Sequence, residues 1–155
     1  MPKGVMLKDG DQAPAIHLQT DTGAEFDLEK HKGRKLVLFF YPRADTPGCT
    51  IEAREFNDAY KKISEKGAEV MGISPDTPKA QTKFKEKFGL GFTLLCDVEK
   101  ETAEAYGVLK EKNMYGQKVM GIERTTFLID EQGKIQKIFP KVKPEGHAEE
   151  VLSAL

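Results

Sequence analysis

Two cysteines, Cys49 and Cys96, are all the chain has in 155 residues, too few for the disulfide framework of a small secreted domain. Neither opens a Cys-x-x-Cys pair, because Glu52 stands three residues after Cys49. Charge of one sign is missing too. The balance of 24 basic against 25 acidic side chains gives a net charge of -1, which argues against a nucleic-acid or polyanion partner. No apolar run approaches the roughly 18 residues of a membrane span, and no basic stretch leads into an apolar one as in a secretory leader. His17, His31 and His147 lie far apart without metal-ligand spacing and read as surface residues. There is no internal repeat, low-complexity tract or linker. A single domain spanning 1–155, long enough to bury a real core and kept in a reducing cytoplasm, is the expectation.

What is present is an alternation of strand and helix signals. Residues 4–33 carry Gly, Asp and Pro around short apolar pieces, Ala15 to Leu18 and Phe26 to Leu28, and read as a small hairpin or irregular lead-in. Lys35 to Tyr41 is a near-continuous apolar run of strand length. Cys49, Ala53, Phe56, Tyr60 and Ile63 then recur at helical spacing. Glu69 to Ile73 is a second strand. Thr77-Pro78 opens a helix with Ala80, Phe84 and Phe88 on one face, ended by Gly89. Phe92 to Leu95 is a short strand, and Asp97 is placed to cap a helix running to about Tyr106. The stretch holding Met114, Tyr115 and Met120 is rich in Gly and Lys and reads as a loop. Thr126 to Ile129, the turn Asp130 to Gly133 and Lys134 to Phe139 predict a hairpin, and Pro144 a last helix using Ala148, Val151, Leu152 and Leu155. This order predicts an α/β fold, a mixed sheet flanked by helices. In open α/β sheets ligands gather at the carboxyl ends of strands, and Cys49 and Cys96 each follow such an end.

The Thr46-Pro47-Gly48-Cys49-Thr50 segment carries the chemistry. Thr46 fits an N-cap and Pro47 the first helical position, where a missing N–H is harmless. Cys49 then falls on the third helical position. Unpaired N–H groups and the positive end of the helix favour a thiolate there. The bland alternative, a buried structural cysteine, fits Cys96 better than Cys49. A phosphatase-like reading is weak, because Cys49 and Arg54 are separated by four residues rather than five, and Glu52 would repel a phosphate. A non-enzymatic redox sensor would show one oxidation event and no sustained turnover.

Tyr41-Pro42, the Pro-x-x-x-Thr-x-x-Cys spacing from Pro42 to Cys49, Glu52, and Arg124 before the Thr126 strand together resemble the peroxiredoxin family, most closely its peroxiredoxin Q, or bacterioferritin comigratory protein, branch. The resemblance runs from about Gly10 onward. It implies a thioredoxin-like fold with an N-terminal hairpin extension, and a thiol peroxidase without metal or organic cofactor. The expected substrates are hydrogen peroxide and organic hydroperoxides, with thioredoxin or another thiol as reductant and a monomer or weak homodimer as the working form. Cys49 is the implied peroxidatic cysteine. Thr46 and Arg124 are implied to hold the peroxide, Pro42 to wall the pocket, and Glu52 to anchor an arginine. Many members of the branch carry a resolving cysteine five residues after the peroxidatic one. Here that position is Arg54, which leaves Cys96 as the candidate resolving thiol, or else a one-cysteine scheme.

Overall fold

Leu36 to Tyr41 are buried without exception, as expected of a strand covered on both sides. A computed structural model describes residues 7–155, apart from the side chains of Lys112 and Met114, so residues 4–6 of the lead-in lie outside it. Among the described residues, a seven-stranded sheet runs in the order β2-β1-β5-β4-β3-β8-β9. Its strands are β1 (His17–Thr20), β2 (Glu25–Asp27), β3 (Lys35–Phe40), β4 (Ala68–Ser74), β5 (Thr93–Cys96), β8 (Thr125–Ile129) and β9 (Ile135–Phe139). β3, β4 and β5 are parallel, while β1, β2, β8 and β9 join antiparallel. The predicted mixed sheet is present, and the lead-in hairpin joins it through β1 beside β5.

Strand periodicity splits the core in two. Val37, Phe39 and Tyr41 face one side, where they meet Phe56 and Ile63 of α1 (Pro47–Glu65), Phe84 of α2 (Pro78–Phe88) and Val151 of α4 (His147–Ala154). Leu36, Leu38 and Phe40 face the other side, with Ile16, Tyr106, Phe127 and Ala103 of α3 (Glu101–Ala105). The helix signals at Thr77 and Gly89 hold. The Thr77 hydroxyl accepts from the Ala80 N–H, and Gly89 takes the left-handed conformation at φ 62°, which glycine adopts at little cost.

Three expectations change. The Gly- and Lys-rich stretch is not a loop but a separate antiparallel hairpin, β6 (Leu109–Met114) and β7 (Gln117–Ile122), turned at Tyr115 and Gly116 with positive φ at both. Two central residues of positive φ match the twist of a hairpin, but the turn carries no Asn-Gly or Asp-Gly to announce it. The helix after Asp97 is shorter than predicted. Lys100, not Asp97, is its N-cap, and the Asp97 carboxylate reaches forward to accept from the Thr102 and Ala103 N–H groups. The last helix starts at His147 rather than Pro144, because Gly146 at φ 81° supplies the N-cap and gives its N–H to Glu55 on α1.

Gly72 in β4 sits where the sheet leaves no room for a side chain. A Cβ there would lie 2.9 Å from both Phe39 and Tyr41 ring atoms and 3.0 Å from Leu94. These are core atoms with no room to retreat, so Gly72→Ala is expected to destabilise by about 1–3 kcal/mol. Urea unfolding measures it as a lower midpoint at unchanged slope.

Candidate active site

After β3 the chain turns through Pro42 to Thr46 and enters α1. Asp45 takes φ 60° in this turn, with its carboxylate held 3.0 Å from Lys87 Nζ on α2. Thr46 is the N-cap, extended at φ -99° and ψ 156°, and Pro47 follows at the first helical position, as predicted. The Thr46 hydroxyl does not cap the helix, however; it donates to the Arg43 carbonyl at 2.9 Å. The first intrahelical bond runs from the Thr50 N–H to the Thr46 carbonyl at 2.9 Å. The N–H groups of Gly48 and Cys49 therefore lie ahead of the helical ladder, at the positive end of the dipole.

Arg124 comes from the far side of the sequence but not of the sheet. β8 runs antiparallel beside β3, with Thr125 opposite Phe40, so the residue just before β8 lies where β3 gives way to the turn. Its guanidinium divides between two acceptors. Nη2 donates to Cys49 Sγ at 3.4 Å, and Nη1 donates to Glu52 Oε1 at 2.8 Å. Glu52 stands three residues beyond Cys49 in α1, which brings both to the same helix face. Gly48 makes the approach possible: a Cβ there would sit 3.1 Å from Arg124 Nη2 and 3.4 Å from Pro144 Cγ. The Arg124 carbonyl also accepts the Val142 N–H at 2.9 Å. Cys49 itself is buried, at 1 % exposure.

Burial governs the charges. The Glu52 side chain is wholly enclosed, and its Oε2 has no partner among the described residues. Burial pushes the carboxyl up to about 7, outweighing the Arg124 guanidinium that pulls it down. For Arg124, burial works against the cation, but Glu52 and Cys49 more than offset it and raise its pKa.

The remaining predicted residues fall apart into roles. Pro42 is half-buried and opens the turn. Cys96 ends β5, in register with Gln19 on one side and Ser74 on the other. Burial, aided by Asp21 and Asp76, pushes its thiol up to about 11. Both cysteines are free thiols. His147 is not a surface residue. At the start of α4 it is buried, its ring nitrogens 2.9 Å from Glu150 Oε1 and 2.8 Å from Thr126 Oγ1. Phe56 and Phe139 meet it edge-on, and burial lowers its pKa. His31 is half-buried, and only His17 is exposed as expected. Pro144, read from the sequence only as a helix start, and Val142 lie beside the site; no local signal marks a loop that closes over a distant helix.

A thiol at a helix start, gripped by an arginine that a buried carboxylate anchors in turn, is the arrangement of a cysteine-based peroxidase. The chain belongs to the AhpC/TSA family, whose model matches residues 10–138. It is 50% identical over 146 residues to the peroxiredoxin bcp of Coxiella burnetii, covering 94% of this chain and 97% of that one. Among solved structures it resembles the Xylella fastidiosa peroxiredoxin Q, a cysteine-to-serine variant, with TM-score 0.91 and 36% identity over 97% of this chain and 96% of that one. It also resembles the Xanthomonas campestris bacterioferritin comigratory protein, with TM-score 0.86 and 40% identity over 90% and 88% of the two chains. The fold is thioredoxin-like, and the activity is that of a thiol-dependent peroxidase, an oxidoreductase whose family implies a peroxide substrate and a thiol reductant.

The raised Glu52 pKa sets a pH dependence. A folded value near 7 against an ordinary 4.5 means that the native state binds the extra proton between those limits. Stability from this group is therefore full below about 4.5 and falls as pH rises through about 7. Glu52→Gln should flatten that decline in denaturant midpoints measured from pH 4.5 to 8.

Proposed function

We propose that Cys49 is the peroxidatic nucleophile, that Arg124 and Thr46 hold the peroxide against it, and that the enzyme works with one cysteine. The observation that carries this reading is the Arg124 guanidinium donating at once to Cys49 Sγ and Glu52. The Cys49 thiolate attacks the terminal oxygen of ROOH, forming the S–O bond as the O–O bond breaks. Sulfur becomes a sulfenic acid, and RO⁻ leaves and takes a proton to become an alcohol, or water when the substrate is hydrogen peroxide. Negative charge spreads over sulfur and both oxygens during transfer. Arg124, permanently cationic and already placed, and the free Cys49 N–H are donors for that charge. The Thr46 proton is committed to Arg43, so the lone pairs of its oxygen accept the O–H of the incoming hydroperoxide. Pro42 walls the turn and limits water.

Alkyl peroxide reduction is the activity named for the Xanthomonas campestris relative, and organic hydroperoxides beside hydrogen peroxide suit this site. With Cys49 buried and Pro144 close to Gly48, the segment after β9 yields before a bulky peroxide enters. A thiol reductant of the thioredoxin type then attacks the sulfenic acid, releasing water and forming a mixed disulfide that a second thiol resolves. Cys96 is a poor candidate for that attack. Its thiol resists ionisation, and it sits within the ladder between β1 and β4. The proposed enzyme is cytoplasmic and monomeric or weakly dimeric; among the described residues no helix is long and apolar enough to cross a membrane.

Two cysteine variants test the scheme. Cys49→Ser is expected to abolish peroxide consumption, and retained activity would remove the central assignment. Cys96→Ser is expected to leave turnover unchanged with thioredoxin and with a small thiol alike. Loss with thioredoxin alone would restore Cys96 as the resolving cysteine.

A further inference from the structure

The peptide unit joining Arg43 to Ala44 is held at both ends. On one side its carbonyl accepts the Thr46 hydroxyl at 2.9 Å. On the other its N–H donates to Asp76 Oδ2 at 2.7 Å. A trans peptide points these two groups in opposite directions across one rigid plane, so whatever fixes the N–H also fixes the carbonyl. Asp76 lies just beyond β4, outside the segment that carries the cysteine motif. We propose that Asp76 is a positioning residue for catalysis, aiming the Thr46 hydroxyl by locking the Arg43–Ala44 peptide plane. This rests on the reading of Thr46 as an acceptor for the substrate.

Asp76 is itself held. The Ser74 hydroxyl donates to the same Oδ2 at 2.6 Å, and the Gln81 side-chain amide donates to Ser74 Oγ at 2.9 Å. Gln81 is buried; its amide also reaches the Leu95 carbonyl at 2.9 Å, and its oxygen accepts from the Tyr41 hydroxyl at 2.6 Å. Tyr41 is the residue that β3 hands to the turn. The chain of bonds thus starts at the end of β3, crosses α2 and the end of β4, and returns to the turn at Ala44. Every link is a short, oriented bond between rigid elements, the arrangement that keeps a reacting group within a fraction of an ångström. An anionic acceptor on the N–H also polarises the peptide, strengthening the carbonyl as acceptor for Thr46. With its hydrogen so held, the Thr46 oxygen has a set direction for its lone pairs.

Loss of that aim has a signature that loss of fold or of the thiolate lacks. Peroxide needs Thr46 in place, whereas alkylation by iodoacetamide needs only the thiolate. Asp76→Ala should slow Cys49 oxidation by hydrogen peroxide by about tenfold to a hundredfold while leaving the iodoacetamide rate within about twofold. Asp76→Asn keeps an oxygen for both donors and should restore most of the peroxide rate. In a Thr46→Val background Asp76→Ala should add little, because the residue it serves is gone. An unchanged peroxide rate in Asp76→Ala, parallel loss of both rates, or full additivity with Thr46→Val would each overturn the proposal. Wild-type protein supplies a check that needs no variant to fold. The Ala44 amide should exchange with deuterium as slowly as the β3 amides, and exchange at the rate of an exposed turn would also sink it. Retention of the Asp76 effect together with full activity of Cys49→Ser would instead strike at the peroxidatic assignment, not at the positioning.

Discussion

A half-buried guanidinium calls for acceptors, and Arg124 has two, Cys49 and Glu52. Stranding a charge in a low-dielectric site is costly, and this requirement organises the site. It holds the start of α1 against the start of β8, and it favours glycine at position 48, where a Cβ would sit 3.1 Å from Nη2. The pair with Glu52 is not evidence of stability in itself, since both charges leave water to form it. What it secures is geometry: a cation fixed beside sulfur before any substrate arrives. Catalysis of this kind depends on donors already in place rather than reorganised during reaction.

The turn between β3 and α1 depends on the same logic, with charged side chains from α2 and from beyond β4 meeting the loop. A short loop that places Thr46, Gly48 and Cys49 together has few backbone bonds of its own, and side chains from elsewhere supply them. Asp76 takes the Ala44 N–H, Lys87 the Asp45 carboxylate, and Arg43 the Thr46 hydroxyl. The segment after β9 closes the other side, through Val142 on the Arg124 carbonyl and Gly146 on Glu55. His147, buried between Phe56 and Phe139 and bonded to Thr126, ties that segment to β8. Burial of Cys49 follows from this enclosure, and so does the raised pKa of Glu52.

Legibility in the sequence followed the range of the signal. β3, α1, α2 and the β8–β9 hairpin announced themselves by periodicity and by local caps such as Thr77 and Gly89, whose partners are a few residues away. The β6–β7 hairpin did not, because its Tyr115-Gly116 turn lacks the usual residues and its strands are largely exposed. Asp97 pointed to a capped helix, yet an intervening turn moved the N-cap three residues along, to Lys100. His147 was misread because a histidine at the head of an amphipathic helix looks exposed until the helix is docked.

By itself the sequence determined that a cysteine would open a helix after a buried strand, with proline at the first helical position and no second cysteine close enough in the chain to form a local redox pair. Those are properties of neighbours along the backbone, written in residue types and spacing. Only the tertiary structure decided how Arg124 divides between the sulfur and Glu52, that Glu52 lies enclosed, that Cys96 sits within the sheet, and that a carboxylate beyond β4 bonds the turn. Each of these is a meeting of residues far apart in the chain, brought about by strand order and register. A sheet register is a collective choice of every pair in the ladder, so no single stretch of sequence could announce it.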